Sequence, residues 1–211
     1  TDRVNAKPLF VLVHSPLVGP YSWALVADAL RGRDYPAVVP EVRSLEHEGP
    51  PFWQRHIEAI ARSIQSRAPN DVILVGHSGA GRLLGVAGQE ASSNVLAYVF
   101  VDSDVPTRTG SRLDAMPEEM AKQFRDASED GPLPPWPEEV FEHDIKDDQV
   151  RRRLVSELSP LPLEVYEEAI PLPAEWPEAK CAYIRLSHRY PDAEAHAEEE
   201  GSNERDHNIG R

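Results

Sequence analysis

Residues 72–81 read Val-Ile-Leu-Val-Gly-His-Ser-Gly-Ala-Gly, an apolar run followed by small residues around a serine. Its four leading apolar residues predict a central parallel strand that is buried on both faces. Small residues at positions 76, 79, 80 and 81 then surround Ser78. A sharp strand-to-helix turn requires such neighbours, because bulky side chains would collide across it. The stretch therefore predicts a serine presented at the tip of a turn between a strand and a helix.

Short apolar runs alternate with amphipathic stretches on both sides of this turn. We predict further strands at residues 9–13, 37–39, 95–101 and 179–186. We predict helices at residues 21–30, 52–68 and 79–90, and a polar helix at about residues 191–200. This alternation is typical of βαβ units, which build a mostly parallel sheet flanked by helices. The fold class is therefore α/β.

Prolines change the character of the chain between residues 106 and 177. They break it into short helical pieces, at about residues 118–127, 147–158 and 163–169. We interpret residues 106–177 as a helical cap inserted after the strand that ends near Asp102, within a single domain of residues 1–211. Trp136 is one of several aromatic residues there that are candidates to line a substrate pocket.

The strand and turn at residues 72–81 resemble the nucleophile elbow of α/β-hydrolases, and residues 10–14 resemble the strand that precedes it in that family. The motif ends in Ala80 in place of glycine, a substitution small enough to keep the turn. Within the family, the chain is similar to compact bacterial serine esterases and thioesterases, some of which work in specialised metabolism. The resemblance implies an α/β-hydrolase fold. It makes Ser78 the nucleophile and the backbone N–H of Gly79 an oxyanion donor.

The second oxyanion donor of the family follows a His-Gly pair after the earlier strand. The matching stretch here is His14-Ser15-Pro16-Leu17, in which proline has no N–H to donate. Loss of one donor reduces the rate by about 10²–10³-fold. We therefore predict that the Leu17 N–H takes its place. We expect His14 to shape this loop and His77 to pack beside the pocket or line it.

The resemblance also implies an acid and a histidine base, in the chain order Ser, Asp, His. We predict Asp102, at the end of the strand at residues 95–101, as the acid, although a carboxylate there also suits a role in capping a loop. We predict His207 as the base because it follows the last predicted strand. The alternatives are Asp104 and Asp192 for the acid, and His188 and His196 for the base.

These residues together predict a serine hydrolase that cleaves a small, fairly apolar ester or thioester without a cofactor. Two other hypotheses stay open because of Pro16 and the weak sequence signal around His207. One is an enzyme of the same fold that catalyses a cyclisation, elimination or other rearrangement. The other is a catalytically silent protein that binds a small molecule.

Composition and charge exclude several other classes. The net charge of −14 disfavours nucleic acid as a partner. The histidines lack the paired spacing of a zinc site, and the single cysteine, Cys181, is expected in the core. We find no apolar run long enough to span a membrane and no signal-peptide pattern, so we expect a cytoplasmic protein. The oligomeric state stays open.

Overall fold

The computed structural model describes residues 6–42, 49–187, 192–193 and 195–196. The described residues form one sheet whose strands lie in the order β2-β1-β3-β4-β5, with every neighbouring pair parallel. The strands are β1 Leu9–Val13, β2 Ala37–Val38, β3 Asp71–His77, β4 Asn94–Val101 and β5 Lys180–Ile184. The predicted parallel α/β sheet is therefore confirmed.

Helices connect these strands. Before β5 they are α1 Ala24–Arg31, α2 Phe52–Gln65, α3 Leu84–Glu90, α4 Glu118–Ala127, α5 Asp148–Val155 and α6 Glu164–Glu167. Short 3₁₀ helices cover Pro20–Trp23, Ser78–Leu83, Leu113–Ala115 and Glu138–Phe141. The helix predicted at residues 79–90 thus begins as a 3₁₀ helix. Of the helix predicted at residues 191–200, the structure describes residues 192, 193, 195 and 196, and the other six lie outside the described residues.

The two faces of the sheet are covered by different helices. On one face, alternate strand residues such as Leu74 and Phe100 pack against Ile60 and Ile64 of α2 and against Leu84 of α3. On the other face, Leu12, Val75 and Val101 pack against Trp23 and against Ala27 of α1. The strands are hydrophobic on both sides for this reason. Cys181 lies in the core of the first face with 2% of its surface exposed.

The cap segment, residues 106–177, lies between β4 and β5 and carries helices α4 to α6. It has a hydrophobic cluster of its own, which also includes Phe52 of α2 and Leu17 of the loop after β1. The cap cluster contains Phe52, Leu113, Ala121, Phe124, Leu133, Leu161, Val165 and Tyr166, with Leu17 and Trp136 packed against it. Apolar packing therefore joins this segment to the core. The boundaries at 106 and 177 and the single domain of 1–211 stay predictions.

Two glutamates of the cap segment bind helix starts in the core. Glu168 accepts hydrogen bonds from the backbone N–H groups of Phe52, at 2.7 Å, and Trp53, at 3.1 Å. Glu157 accepts one from the N–H of Tyr21 at 2.9 Å. The first N–H groups of a helix have no partner within the helix, and the helix dipole favours negative charge beside them. These carboxylates therefore fix the position of the cap segment over the sheet.

Replacement of Glu168 by alanine is expected to lower the free energy of unfolding by about 1 kcal/mol, since two N–H groups of α2 lose a charged partner. Glu167→Ala is the matched control, because Glu167 is the preceding residue in the chain and is exposed, and its effect should stay within about 0.5 kcal/mol. Urea unfolding of both variants measures the difference. Equal free energies of unfolding for Glu168→Ala and Glu167→Ala would show that Glu168 contributes nothing as a helix cap.

Candidate active site

Ser78 stands at a strained turn. It follows the last residue of β3, and its backbone has a φ of +52°, in the left-handed region that residues other than glycine rarely adopt. Such a conformation costs about 1–3 kcal/mol and persists only where the surroundings impose it. The 3₁₀ helix Ser78–Leu83 begins at this residue. The local geometry is that of the predicted strand-turn-helix elbow.

The segment after β4 holds this turn in place. Ser103 Oγ donates a hydrogen bond to the backbone oxygen of Ser78 at 2.6 Å. A Cβ atom on Gly81 would overlap Ser103 Oγ and the backbone oxygen of Asp104, so only glycine allows the two segments to approach this closely. A Cβ on Gly76 would come within 3.2 Å of Leu84. Gly76 and Gly81 are therefore each required to be small by a different neighbouring group.

The two predicted oxyanion donors lie close to the cap segment. Arg112 Nε donates to the backbone oxygen of Gly79 at 2.7 Å, and a Cβ built on Gly79 would lie 3.1 Å from the hydroxyl of Tyr166. The Leu17 N–H donates to Ser15 Oγ at 3.2 Å. Ser15 Oγ lies 3.5 Å from the same Tyr166 hydroxyl. The roles of Gly79 and Leu17 in binding an oxyanion stay predictions.

The two histidines flanking the predicted site make structural contacts. His14 is fully buried, with Nδ1 2.8 Å from the Ser15 backbone oxygen and Nε2 accepting from the Val42 N–H at 3.3 Å. The tautomer with its proton on Nδ1 satisfies both bonds, so the ring joins the loop after β1 to the chain after β2. His77 packs edge-on against Trp23, with ring centres 6.3 Å apart. Substrate contact by His77 stays a prediction.

Asp102 binds the loop that follows β5. One carboxylate oxygen accepts from the N–H groups of Ser187, at 2.9 Å, and Leu186, at 3.4 Å, and the other accepts from the Ser187 hydroxyl at 2.6 Å. Its backbone also has a positive φ, of 42°. A carboxylate has about four acceptor positions, so these bonds leave room for one more donor. Asp102 therefore closes a loop, and its role as catalytic acid stays a prediction.

The alternative acids and one alternative base share a cavity. Asp104, Asp192 and His196 line a space of about 280 Å³ on the cap side of β4. Asp104 forms an ion pair with Arg82 Nε at 2.8 Å. Burial raises the pKa of Asp104, while the charges of Arg82 and His196 act in the opposite direction. His207 and the other alternative base, His188, lie outside the described residues.

Trp136 lies half-buried in the cap segment. It packs against the cap cluster, and its ring centre is 6.0 Å from that of Phe141. These contacts explain its aromatic side chain by packing alone. A contact between Trp136 and the substrate stays a prediction.

Two buried polar side chains, at positions 56 and 112, were missed by sequence reasoning. Arg112 is 2% exposed and joins the elbow to α6, because its Nη1 donates to the backbone oxygen of Val165 at 2.7 Å. His56 is 1% exposed in α2, and its Nδ1 has no hydrogen-bond partner among the described residues. The available signal was the position of His56 four residues before Ile60, on the buried stripe of α2. Nothing in the sequence marks Arg112.

Burial lowers the pKa of His56 from its ordinary 6.5 to about 3, and the positive charge of Arg112 acts in the same direction. His56 is therefore neutral at neutral pH.

Among the described residues, no group of three or more His, Cys, Asp or Glu side chains is arranged to hold a metal ion. No helix of the same described part is long and apolar enough to cross a bilayer.

Comparison with known proteins identifies the family. Residues 10–205 match the model of the Alpha/beta hydrolase family. The chain belongs to this family. Alpha/beta hydrolase nvfD of Aspergillus novofumigatus (strain IBT 16806) is 33% identical over 95 residues, which make up 44% of this chain. The matched stretch spans only 38% of that relative.

Solved structures of this family have the same fold at low sequence identity. The extracellular alpha/beta-hydrolase from a Paenibacillus species, described as a structural and functional homologue of tobacco salicylic acid binding protein 2, has a TM-score of 0.72 at 20% identity. That comparison covers 95% of this chain and 91% of the Paenibacillus protein. Tomato methylketone synthase I, solved with 2-tridecanone, has a TM-score of 0.68 at 14% identity, covering 97% and 90% of the two chains.

A third structure is a carboxylesterase of the thaumarchaeon Nitrososphaera gargenis, with a TM-score of 0.66 at 15% identity. It is matched over 95% of this chain and 81% of its own length. At such identities these structures share the fold, and they do not carry over a substrate.

The buried His56 predicts an acid-sensitive stability. Below about pH 6.5 the unfolded chain binds a proton at residue 56 that the folded chain does not bind until about pH 3. The free energy of unfolding should therefore fall on acidification across this range, by up to about 1.4 kcal/mol per pH unit from this group.

His56→Gln should reduce this pH dependence, as measured by urea unfolding between about pH 4 and pH 7. His143→Gln is the control, since His143 is exposed. If the free energy of unfolding changes with pH by the same amount in the wild-type protein and in His56→Gln, the low pKa of His56 is contradicted.

Proposed function

We propose that this alpha/beta hydrolase is a serine hydrolase that cleaves a small, fairly apolar carboxylic ester or thioester through an acyl-enzyme on Ser78. The observation that carries the proposal is the left-handed backbone of Ser78, with φ at +52°, at the start of a helix after the buried strand β3. This strained position presents the hydroxyl beyond the sheet, at the carboxyl end of a central strand, where parallel sheets bind their ligands.

The proposed reaction has two halves. Ser78 Oγ forms a bond to the carbonyl carbon while its proton passes to the base, for which we propose His207, oriented by Asp102. The carbonyl electron pair moves to the oxygen, and this oxyanion accepts a hydrogen bond from the Gly79 N–H. The carbonyl then re-forms, and the bond to the alcohol or thiol breaks as that group takes the proton. Water repeats the sequence to release the acid.

The proposed substrate class follows from the cap segment above the elbow. Tyr166, beside Gly79, belongs to an apolar cluster against which Leu17 and Trp136 pack. An acyl or alkyl group placed there loses contact with water and gains apolar contacts. The Paenibacillus hydrolase and the Nitrososphaera carboxylesterase, which share the fold, support ester cleavage as the reaction type.

A second candidate is a non-hydrolytic reaction such as a rearrangement or elimination. It is favoured by the Leu17 N–H, which already donates to Ser15, and by the two hydrogen bonds that Asp102 accepts from Ser187. Tomato methylketone synthase I shares the fold and was solved with the ketone 2-tridecanone. Product analysis in H₂¹⁸O separates the candidates, because only hydrolysis places the labelled oxygen in the acid product.

The partner we propose is the small-molecule substrate alone, without nucleic acid, membrane or cofactor. We also propose a cytoplasmic location for this chain, although the Paenibacillus protein of the same fold is extracellular. Fractionation of the native host tests this location.

Ser78→Ala is expected to abolish labelling by a fluorophosphonate probe and to reduce turnover of a short-chain nitrophenyl ester by at least about 10³-fold, because the nucleophile is lost. Ser66→Ala, at an exposed serine after α2, is the matched control and should react like the wild-type protein. His207→Gln should lower turnover by a similar factor. A wild-type protein that neither labels nor turns over would overturn the hydrolase proposal and leave the rearrangement or a silent binding protein.

A further inference from the structure

The loop after β1 offers the proposed oxyanion fewer free donors than the family pattern requires. Pro16 has no N–H, and the N–H of Leu17 already donates to Ser15 Oγ at 3.2 Å. In addition to the Gly79 N–H, a second hydrogen-bond donor is needed to stabilise a full negative charge, since each donor contributes a factor of about 10²–10³ to the rate of such reactions.

The Tyr166 hydroxyl lies between the two segments that bound the proposed oxyanion site. It is 3.5 Å from Ser15 Oγ, in the loop after β1, and 3.1 Å from the position of a Cβ on Gly79, the residue after the nucleophile. Tyr166 comes from α6 of the cap segment, 88 positions beyond Ser78 in the chain numbering. The cap segment thus brings a polar hydrogen to the oxyanion side of the elbow.

The surroundings of Tyr166 hold the hydroxyl in one place. The side chain is 1% exposed, and its ring packs against Phe124 with centres 5.2 Å apart. Arg112 lies 5.7 Å from the ring centre and joins the neighbouring Val165 oxygen to the Gly79 oxygen through two hydrogen bonds of 2.7 Å. A donor fixed before the reaction needs no reorganisation when charge develops, and a guanidinium nearby stabilises that charge further.

We propose that Tyr166 is a catalytic residue whose hydroxyl donates a hydrogen bond to the oxyanion of an ester or thioester substrate. This inference rests on the proposed function of Ser78. When Ser78 Oγ bonds to the carbonyl carbon, the carbonyl π electrons move to the oxygen, which accepts from the Tyr166 O–H and the Gly79 N–H. No proton leaves Tyr166. Ser15 acts as a positioning residue, because it accepts from Leu17 and adjoins the tyrosine hydroxyl.

Steady-state kinetics of Tyr166→Phe with a short-chain nitrophenyl ester test the proposal. The substitution removes one oxygen and keeps the packed ring, so we expect kcat to fall about 10²–10³-fold with KM changed less than about threefold. Tyr98→Phe is the matched control, since it removes another buried tyrosine hydroxyl, which donates to Glu178 at the other end of the sheet. Its kcat should equal that of the wild-type protein.

The outcomes separate this inference from the proposed function. An active wild-type protein and an equally active, folded Tyr166→Phe would overturn the role of Tyr166 while the role of Ser78 stands. A wild-type protein without turnover and without fluorophosphonate labelling would overturn both. A rise in the KM of Tyr166→Phe with kcat unchanged would also overturn the proposed role of Tyr166, because the hydroxyl would then contribute to ground-state binding only.

A measurement on the wild-type protein does not depend on the folding of a variant. An alkyl trifluoromethyl ketone adds to an activated serine and leaves a negatively charged oxygen like that of the reaction intermediate. In a crystal structure of this adduct, we expect that oxygen about 2.7–3.1 Å from Tyr166 Oη and from the Gly79 nitrogen. A separation of more than about 4 Å from Tyr166 Oη would overturn the proposal.

Discussion

The crossing of two chain segments beneath Ser78 is the constraint on which the site depends. The segment after β4 passes so close to the elbow helix that only glycine fits at position 81, and Ser103 holds the Ser78 backbone oxygen at 2.6 Å. These contacts oppose a backbone strain of about 1–3 kcal/mol at Ser78. Without them the serine would relax toward an ordinary conformation, and the hydroxyl would leave the carboxyl end of the sheet. The strain is therefore a property of the fold, imposed on the residue that we propose as the nucleophile.

The cap segment is bound to the elbow and to α2 by polar contacts, and its apolar cluster also includes Phe52 of α2. Arg112 reaches the Gly79 backbone oxygen, and Glu168 binds the first N–H groups of α2. Each contact uses a charged group on a backbone dipole at a helix or turn terminus, which is stronger than a neutral hydrogen bond. As a result, the residues that surround Ser78 come from distant parts of the chain and still have fixed positions. Such rigidity is what electrostatic stabilisation of a transition state requires.

Local patterns were sufficient to predict much of the fold, because a buried strand or an amphipathic helix is encoded within a few residues. The helix at residues 118–127 and the strand at residues 9–13 have the predicted bounds. Contacts between remote segments determine two features that the sequence did not reveal. The helix after Ser78 starts as a 3₁₀ helix, and Asp102 accepts a hydrogen bond from the Ser187 hydroxyl. Arg112 and Tyr166 were missed for the same reason, since only the folded cap segment brings them to Gly79. The predicted base lies outside the described residues, so the structure leaves that role a prediction.

Detection of the covalent acyl intermediate would distinguish Ser78 from every other candidate nucleophile. The protein is mixed with a short-chain nitrophenyl ester, quenched in acid within milliseconds to seconds, digested and analysed by mass spectrometry. If Ser78 is the nucleophile, the peptide that contains it gains transiently the mass of the acyl group, and fragmentation places that mass on Ser78. Product formed without any acylated peptide, or an acyl group located on another residue, would contradict the central claim that Ser78 is the nucleophile.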